Sequence, residues 1–149
     1  MRIVVVSDSH RNTDCLKAIY EKEKDHTNLF LHCGDSCDFP QNIEPFISVK
    51  GNCDFLFDYP AERILKLPIG TLYFFHGIGG IYTIKRIIKE HHPDFICYGH
   101  THIHSYQMID GCHVFNPGSV SLPRDATNGT YLVIEGSSKE DVSWHFVVL

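Results

Sequence analysis

The chain lacks three things, and each absence removes a class of function. It has no apolar run long enough to cross a bilayer, so no membrane partner is expected. It has no block of lysine or arginine: 13 basic residues face 18 acidic ones, for a net charge of -5. That argues against a broad nucleic-acid surface, which needs clustered cations to neutralise phosphates. A small phosphorylated ligand stays open, because metals or a few donors can carry its charge locally. There is also no Cys-x-x-Cys pair among the six cysteines, at 15, 33, 37, 53, 97 and 112. The opening MRIVVVSDSH holds too short an apolar run for a secretory signal, and no cleavage pattern follows it. The cysteines therefore read as reduced thiols of a cytoplasmic protein, most of them small buried apolar side chains.

What the chain has in excess is histidine, 11 in 149 residues. The histidines gather with aspartate and glycine where apolar runs end. The length suits one domain, residues 1–149. RIVVV (2–6) is the β-branched run of a strand buried on both faces, and NLFLHC (28–33) and FISVK (46–50) are a second and third strand. Between the first two, Cys15, Leu16, Ile19 and Tyr20 fall at helical spacing behind a cap at Asn12 or Thr13. RILKL (63–67) and TLYFF (71–75) read as a hairpin. IYTIKRIIKEHH (81–92) puts Ile81, Ile84, Ile87 and Ile88 on one helical face, and Pro93 ends it. FICY (95–98) is a further buried strand, and SYQMI and HVF flank the turn dipeptide Asp110-Gly111. TYLVIE (130–135) and SWHFVV (143–148) close the chain as strands. The order, βαβ units first and antiparallel hairpins later, predicts an α/β fold of two packed sheets with helices outside.

The strand ends carry the chemistry. They read Ser7-Asp8-Ser9-His10, Gly34-Asp35, Gly51-Asn52-Cys53-Asp54, His76-Gly77 and Gly99-His100-Thr101-His102. Ligands of open α/β sheets bind outside the carboxyl ends of strands. Asp8 and His10 are two apart, as are His100 and His102, so an extended backbone would aim each pair the same way. Asp8, His10, Asp35, Asn52, His76, His100 and His102 give seven N/O donors. That is too many for one tetrahedral zinc and suits two cations with one carboxylate bridging. With no thiolate in the set, Mn²⁺, Fe, Ni²⁺ and Zn²⁺ are all permitted by ligand type.

The five-part order D-x-H, GD, GN, H-G, GHTH resembles the calcineurin-like metallophosphoesterase superfamily. The spellings GNCD (51–54) and NPGSVSLPR (116–124) resemble its small single-domain branch, the YfcE-type phosphodiesterases. The resemblance implies a four-layer α/β/β/α sandwich with two mixed β-sheets flanked by helices. It implies two divalent metal ions per chain, Mn²⁺ favoured, with Asp8, His10 and His102 on one, Asn52, His76 and His100 on the other, and Asp35 bridging. A metal-bridging hydroxide would attack a small phosphate ester in line, and the Asn52 amide would face a phosphate oxygen in the transition state. Related chains make a homodimer the assembly to expect, and a retromer subunit of the same superfamily makes a non-catalytic interaction scaffold the alternative.

One position departs from many larger relatives and another from small ones. Cys53 fills the slot where many carry a histidine that assists the leaving group, which removes a general acid and points to esters with low-pKa leaving groups. Ile78 replaces the second histidine of an H-G-H spelling, which bears on substrate range. Arg124 could meet a substrate phosphate with its planar fork, or pair with an acid. His104 reads as a half-exposed strand histidine, His32 as a packed and hydrogen-bonded one, Asn116–Ser119 as a plain turn, and Asp54 as structural.

Overall fold

In the computed structural model, which describes residues 1–149, the β-branched run Arg2–Val6 forms strand β1 at the centre of a sheet. On one side it pairs in parallel with β2 (Leu29–His32), which pairs in parallel with the two-residue β3 (Ile47–Ser48). A second sheet runs β4-β5-β6-β8-β7, made of β4 (Glu62–Leu67), β5 (Gly70–Phe75), β6 (Phe95–Cys97), β7 (His104–Ile109) and β8 (Cys112–Pro117). The long closing hairpin, β9 (Thr130–Ser138) and β10 (Asp141–Val148), returns to the other side of β1, so the first sheet reads β10-β9-β1-β2-β3. Both sheets are mixed: the first is antiparallel through β10-β9-β1 and parallel through β1-β2-β3, whereas the second has parallel pairs in its middle and antiparallel hairpins at both edges.

Alternation along each strand decides the layers. Ile3 and Val5 face Leu72, Phe74, Phe95, Cys97 and Phe115 of the other sheet across a core that is closed to solvent. Val4 and Val6 face outward onto Leu16 and Ile19 of helix α1 (Thr13–Glu23). On the far side Tyr73, Phe75 and Ile96 pack on Ile84, Ile87 and Ile88 of helix α2 (Gly80–His91). The result is the expected α/β/β/α sandwich. Asn12 caps α1, its side-chain oxygen accepting from the Cys15 N–H at 3.1 Å.

The differences from expectation are local. The third strand keeps only Ile47 and Ser48 of its five predicted residues, because the chain turns toward the Gly51 loop beyond them. Ile81 is 41% exposed rather than part of the packed stripe. It lies in the first turn of α2, beside exposed Ile78 and Tyr82, before the turns that the sheet covers. No helix is long and apolar enough to cross a membrane.

Candidate metal centre

The carboxyl ends of β1, β2, β3, β5 and β6 open on one rim of the sandwich, and loops from all five bring the seven predicted donors together. Asp8 Oδ1 lies 3.2 Å from His102 Nε2 and 3.9 Å from His10 Nε2. Asp35 Oδ2 lies 3.4 Å from His76 Nε2 and 3.9 Å from His10 Nε2, so it faces both sides of the group. Asn52 Oδ1 lies 2.9 Å from His76 Nε2 and 3.0 Å from His100 Nδ1.

The backbone achieves this differently from the expected extended alternation. Asp8, His10, Asp35, His100 and His102 all have positive φ, at 53, 43, 58, 72 and 60°. His100 and His102 therefore do not point to one spot: His100 meets Asn52, and His102 meets Asp8. The left-handed region is costly for side chains other than glycine, though aspartate, asparagine and histidine tolerate it best. Two glycines are required by close approach. A Cβ at Gly51 would sit 2.0 Å from Asp35 Oδ1, and one at Gly99 would sit 1.9 Å from Ser7 Oγ.

The surroundings fix which atom of each donor faces inward. The His76 Nδ1–H donates to the Cys33 carbonyl at 2.8 Å, and the His102 Nδ1–H donates to the Leu122 carbonyl at 2.7 Å. Each neutral ring then turns an Nε2 lone pair toward the centre. Asp8 Oδ2 accepts from Ser7 Oγ at 2.6 Å and from the His100 N–H at 3.0 Å. Asp8 Oδ1, by contrast, is buried with no hydrogen-bond partner. Asp35 Oδ1 accepts from the Cys53 N–H at 2.8 Å, leaving Oδ2 for the centre. Acceptors thus crowd one another, and only ring protons of His10, His76 or His100 can lie between them. Such an arrangement is repulsive unless a cation or added protons enter it. Two groups of donor atoms, Asp8/His10/His102 and Asp8/Asp35/His76, each lie within 4.8 Å of one another, a spacing that fits divalent metal ions.

The titration behaviour of the metal-free chain follows the same geometry. Burial holds the Asp8 carboxyl above the usual carboxylate range, against the opposing pull of Ser7, His76 and His102. Burial also works to raise Asp35, but hydrogen bonds from His76 and the Cys53 N–H bring it down to about 2. His76 would be lowered by burial, yet its hydrogen bond to Asp35 and the charges of Asp8 and Asp35 raise it. A proton on His76 is what the metal-free chain offers in place of a cation.

Sequence reasoning missed most of the scaffold behind these donors. Asp54 is fully buried and accepts from the N–H groups of Asp35, Gly51 and Cys37 at 2.8, 2.8 and 2.7 Å, tying two loops together. Asn116–Ser119 is more than a turn. Asn116 Nδ2 donates to the Gly99 carbonyl at 2.8 Å and to Thr101 Oγ1 at 3.0 Å, while Ser119 and Ser121 hydroxyls donate to the Asp8 carbonyl. His32 is buried as expected: its Nδ1 accepts from the Gly34 N–H at 3.1 Å, so its Nε2–H donates to Ser9 Oγ at 2.9 Å. His104 is paired with Asp125, Nδ1 to Oδ2 at 2.6 Å, which places it outside the donor group. The Arg124 N–H donates to the His102 carbonyl at 2.9 Å, and its exposed side chain makes no ion pair within the chain. All six cysteines are free thiols.

The sequence profile of the calcineurin-like phosphoesterase superfamily domain matches residues 1–139. The chain belongs to that superfamily. It is 32% identical over 143 residues to the probable metallophosphoesterase YsnB of Bacillus subtilis, covering 90% of this chain and 83% of YsnB. It is 28% identical over 100 residues to the phosphodiesterase YfcE of Escherichia coli, covering 60% of this chain and 52% of YfcE. Its fold matches a crystal structure of a predicted phosphoesterase from Streptococcus pneumoniae at a TM-score of 0.82, with 24% identity over 99% of this chain and 97% of that one. The curated relatives are thus named metallophosphoesterases, and the grouped donors of this chain could hold metal ions.

Proposed function

We propose that the chain is a dinuclear-metal phosphodiesterase, hydrolysing a small phosphate ester at the rim where the five loops meet. The observation that carries this reading is the convergence of the seven side chains, above all the orphaned Asp8 Oδ1 opposite the locked Nε2 of His102. Asp8, His10 and His102 would hold one ion, and Asn52, His76 and His100 the other, with Asp35 Oδ2 between them. Two ions there would make water nucleophilic at neutral pH and neutralise charge on the phosphoryl oxygens, and Mn²⁺ is the favoured metal among those the donors permit. The chain's own residues do the positioning. Asn52 turns its Oδ1 inward because its Nδ2 donates to Cys53 Sγ at 3.4 Å, and the remaining N–H of that amide is free for a phosphate oxygen. Arg124, whose N–H donates to the His102 carbonyl, would offer its exposed guanidinium fork to a substrate phosphate.

Cys53 narrows the substrate class. A thiol whose proton is held more firmly than usual by burial and by Asp35 is a poor proton donor to a leaving oxygen. Esters whose leaving group needs no proton, such as aryl phosphodiesters, suit the site best. The test is hydrolysis of bis-p-nitrophenyl phosphate by protein stripped of metal and reloaded with Mn²⁺, beside Asp35→Asn and His76→Ala. Activity that requires Mn²⁺ and falls by about 10²-fold or more in both variants is expected. Equal, metal-independent rates in all three samples would remove the proposal and favour the interaction scaffold.

A further inference from the structure

Two cysteines give no donor to the carboxylate centre, although both sit in its loops. Cys37 follows Asp35 by two residues, and Cys53 follows Asn52. Their Sγ atoms and a ring nitrogen of His10 lie within 4.8 Å of one another, and His10 Nδ1 is 3.5 Å from Cys37 Sγ. Tetrahedral zinc, with Zn–S near 2.3 Å and Zn–N near 2.0–2.1 Å, sets neighbouring sulfur and nitrogen ligands about 3.5 Å apart. The three residues come from three loops, and the backbone of each cysteine is pinned. The Cys37 N–H donates to Asp54 at 2.7 Å, and the Cys53 N–H donates to Asp35 at 2.8 Å. Both thiols are half-buried, so an ion can reach them from solvent.

We propose that Cys37, Cys53 and His10 Nδ1 form a separate site for a thiophilic cation of the Zn²⁺ class, whose occupation opposes the binding of hard cations at the carboxylate centre. Soft sulfur favours Zn²⁺ or Cd²⁺ over Mn²⁺, which leaves Mn²⁺ to the imidazole and carboxylate group beside it. The opposition comes from His10. A neutral imidazole has one lone pair. When Nδ1–H points at Cys37 Sγ, Nε2 is free to face Asp8 and Asp35. When a thiophilic ion takes Nδ1, the ring proton moves by way of solvent to Nε2, and that nitrogen is lost to the carboxylate centre. Each thiol releases its proton to solvent as its sulfur binds, so two protons leave per ion held. The site itself does not depend on the hydrolytic reading; its antagonism concerns only the metals of that reading.

The test uses Cd²⁺ as the probe. Cd²⁺ is titrated into the intact protein already loaded with Mn²⁺, following the ultraviolet thiolate-to-cadmium charge-transfer band and the Mn²⁺ released to solution. One equivalent is expected to saturate the band, and Cys37→Ser and Cys53→Ser are each expected to weaken that step about tenfold or more, although four other cysteines remain. Bound Mn²⁺ is expected to lose affinity by about 5-fold or more as the band develops. The ¹¹³Cd resonance of the wild-type protein needs no variant and is expected at the deshielded position of two-thiolate ligation. A band unchanged in both variants, a resonance typical of oxygen and nitrogen ligands alone, or Mn²⁺ affinity indifferent to the band would each overturn the proposal. Because these readouts require no turnover, a protein inert toward every phosphate ester would still report on the thiol site.

Discussion

The two halves of the candidate metal centre are built to different standards. In the Asp8/His102 half both side chains are buried, and Ser7, Ser119, Ser121, Leu122 and the His100 N–H hold them in place. In the Asn52/His100 half both residues are exposed, and the Asn52 amide meets Cys53 Sγ on one side and the His76 and His100 rings on the other. The shared Asp35 and His76, the third donor of the Asn52/His100 half, are buried and tethered, while His10 of the Asp8/His102 half is half-buried. Donors that are already fixed lose little freedom when they bind an ion, whereas mobile ones must be ordered first. One half should therefore hold its cation tightly and the other loosely, with the loose side open to the incoming ester.

The largest effect should come from the carboxylate that both halves share. Asp35→Asn is expected to lower activity on bis-p-nitrophenyl phosphate by about 10³-fold and to weaken both steps of a Mn²⁺ titration followed by calorimetry. A variant that kept two tight steps would show that the halves do not meet at Asp35. Next, Asn52→Ala should abolish only the weaker step, halving the metal content found by elemental analysis while leaving the tight step in place. Loss of the tight step instead would reverse the comparison. Smaller again, Asn116→Ala releases the Gly99–Thr101 loop without touching a donor, and should weaken metal affinity by about 10–100-fold. Smallest at neutral pH is His32, whose imidazole burial has pushed down to about 3. Its folded value lies below the unfolded value near 6.5, so its contribution is present above that pH and is lost as pH falls toward 3. Urea unfolding should show stability dropping by on the order of 3 kcal/mol between pH 6.5 and 4, and His32→Gln should flatten that slope.

The contrast between halves also tracks what the sequence could reveal. Donors announce themselves because strand-ending Asp, His and Asn beside glycine are unusual side chains for those places, and all seven came together. The layers were equally legible, since RIVVV reads as a strand covered on both faces and the order of elements points to two packed sheets with helices outside. The supports were not. Asn116 acts on Gly99 from 17 residues away, and Ser119 acts on Asp8 from 111 away. A serine or asparagine that caps a distant carbonyl looks the same in sequence as one in a solvent-facing turn. Backbone sign was hidden too: Asp8 and His10 read as an extended pair, yet both turn left-handed, and only the packed loops decide that. Ile81 shows a related limit, for periodicity gives the face of a helix but not how far along it the sheet extends.

Five of the seven donors occupy backbone conformations in which glycine would be more comfortable. Replacing any of them by glycine would relax the loop and erase a donor in one stroke, so thermal robustness and ion capture pull on these positions in opposite directions. A lineage selected only for durability should drift toward glycine there, whereas this chain has aspartate or histidine in all five places.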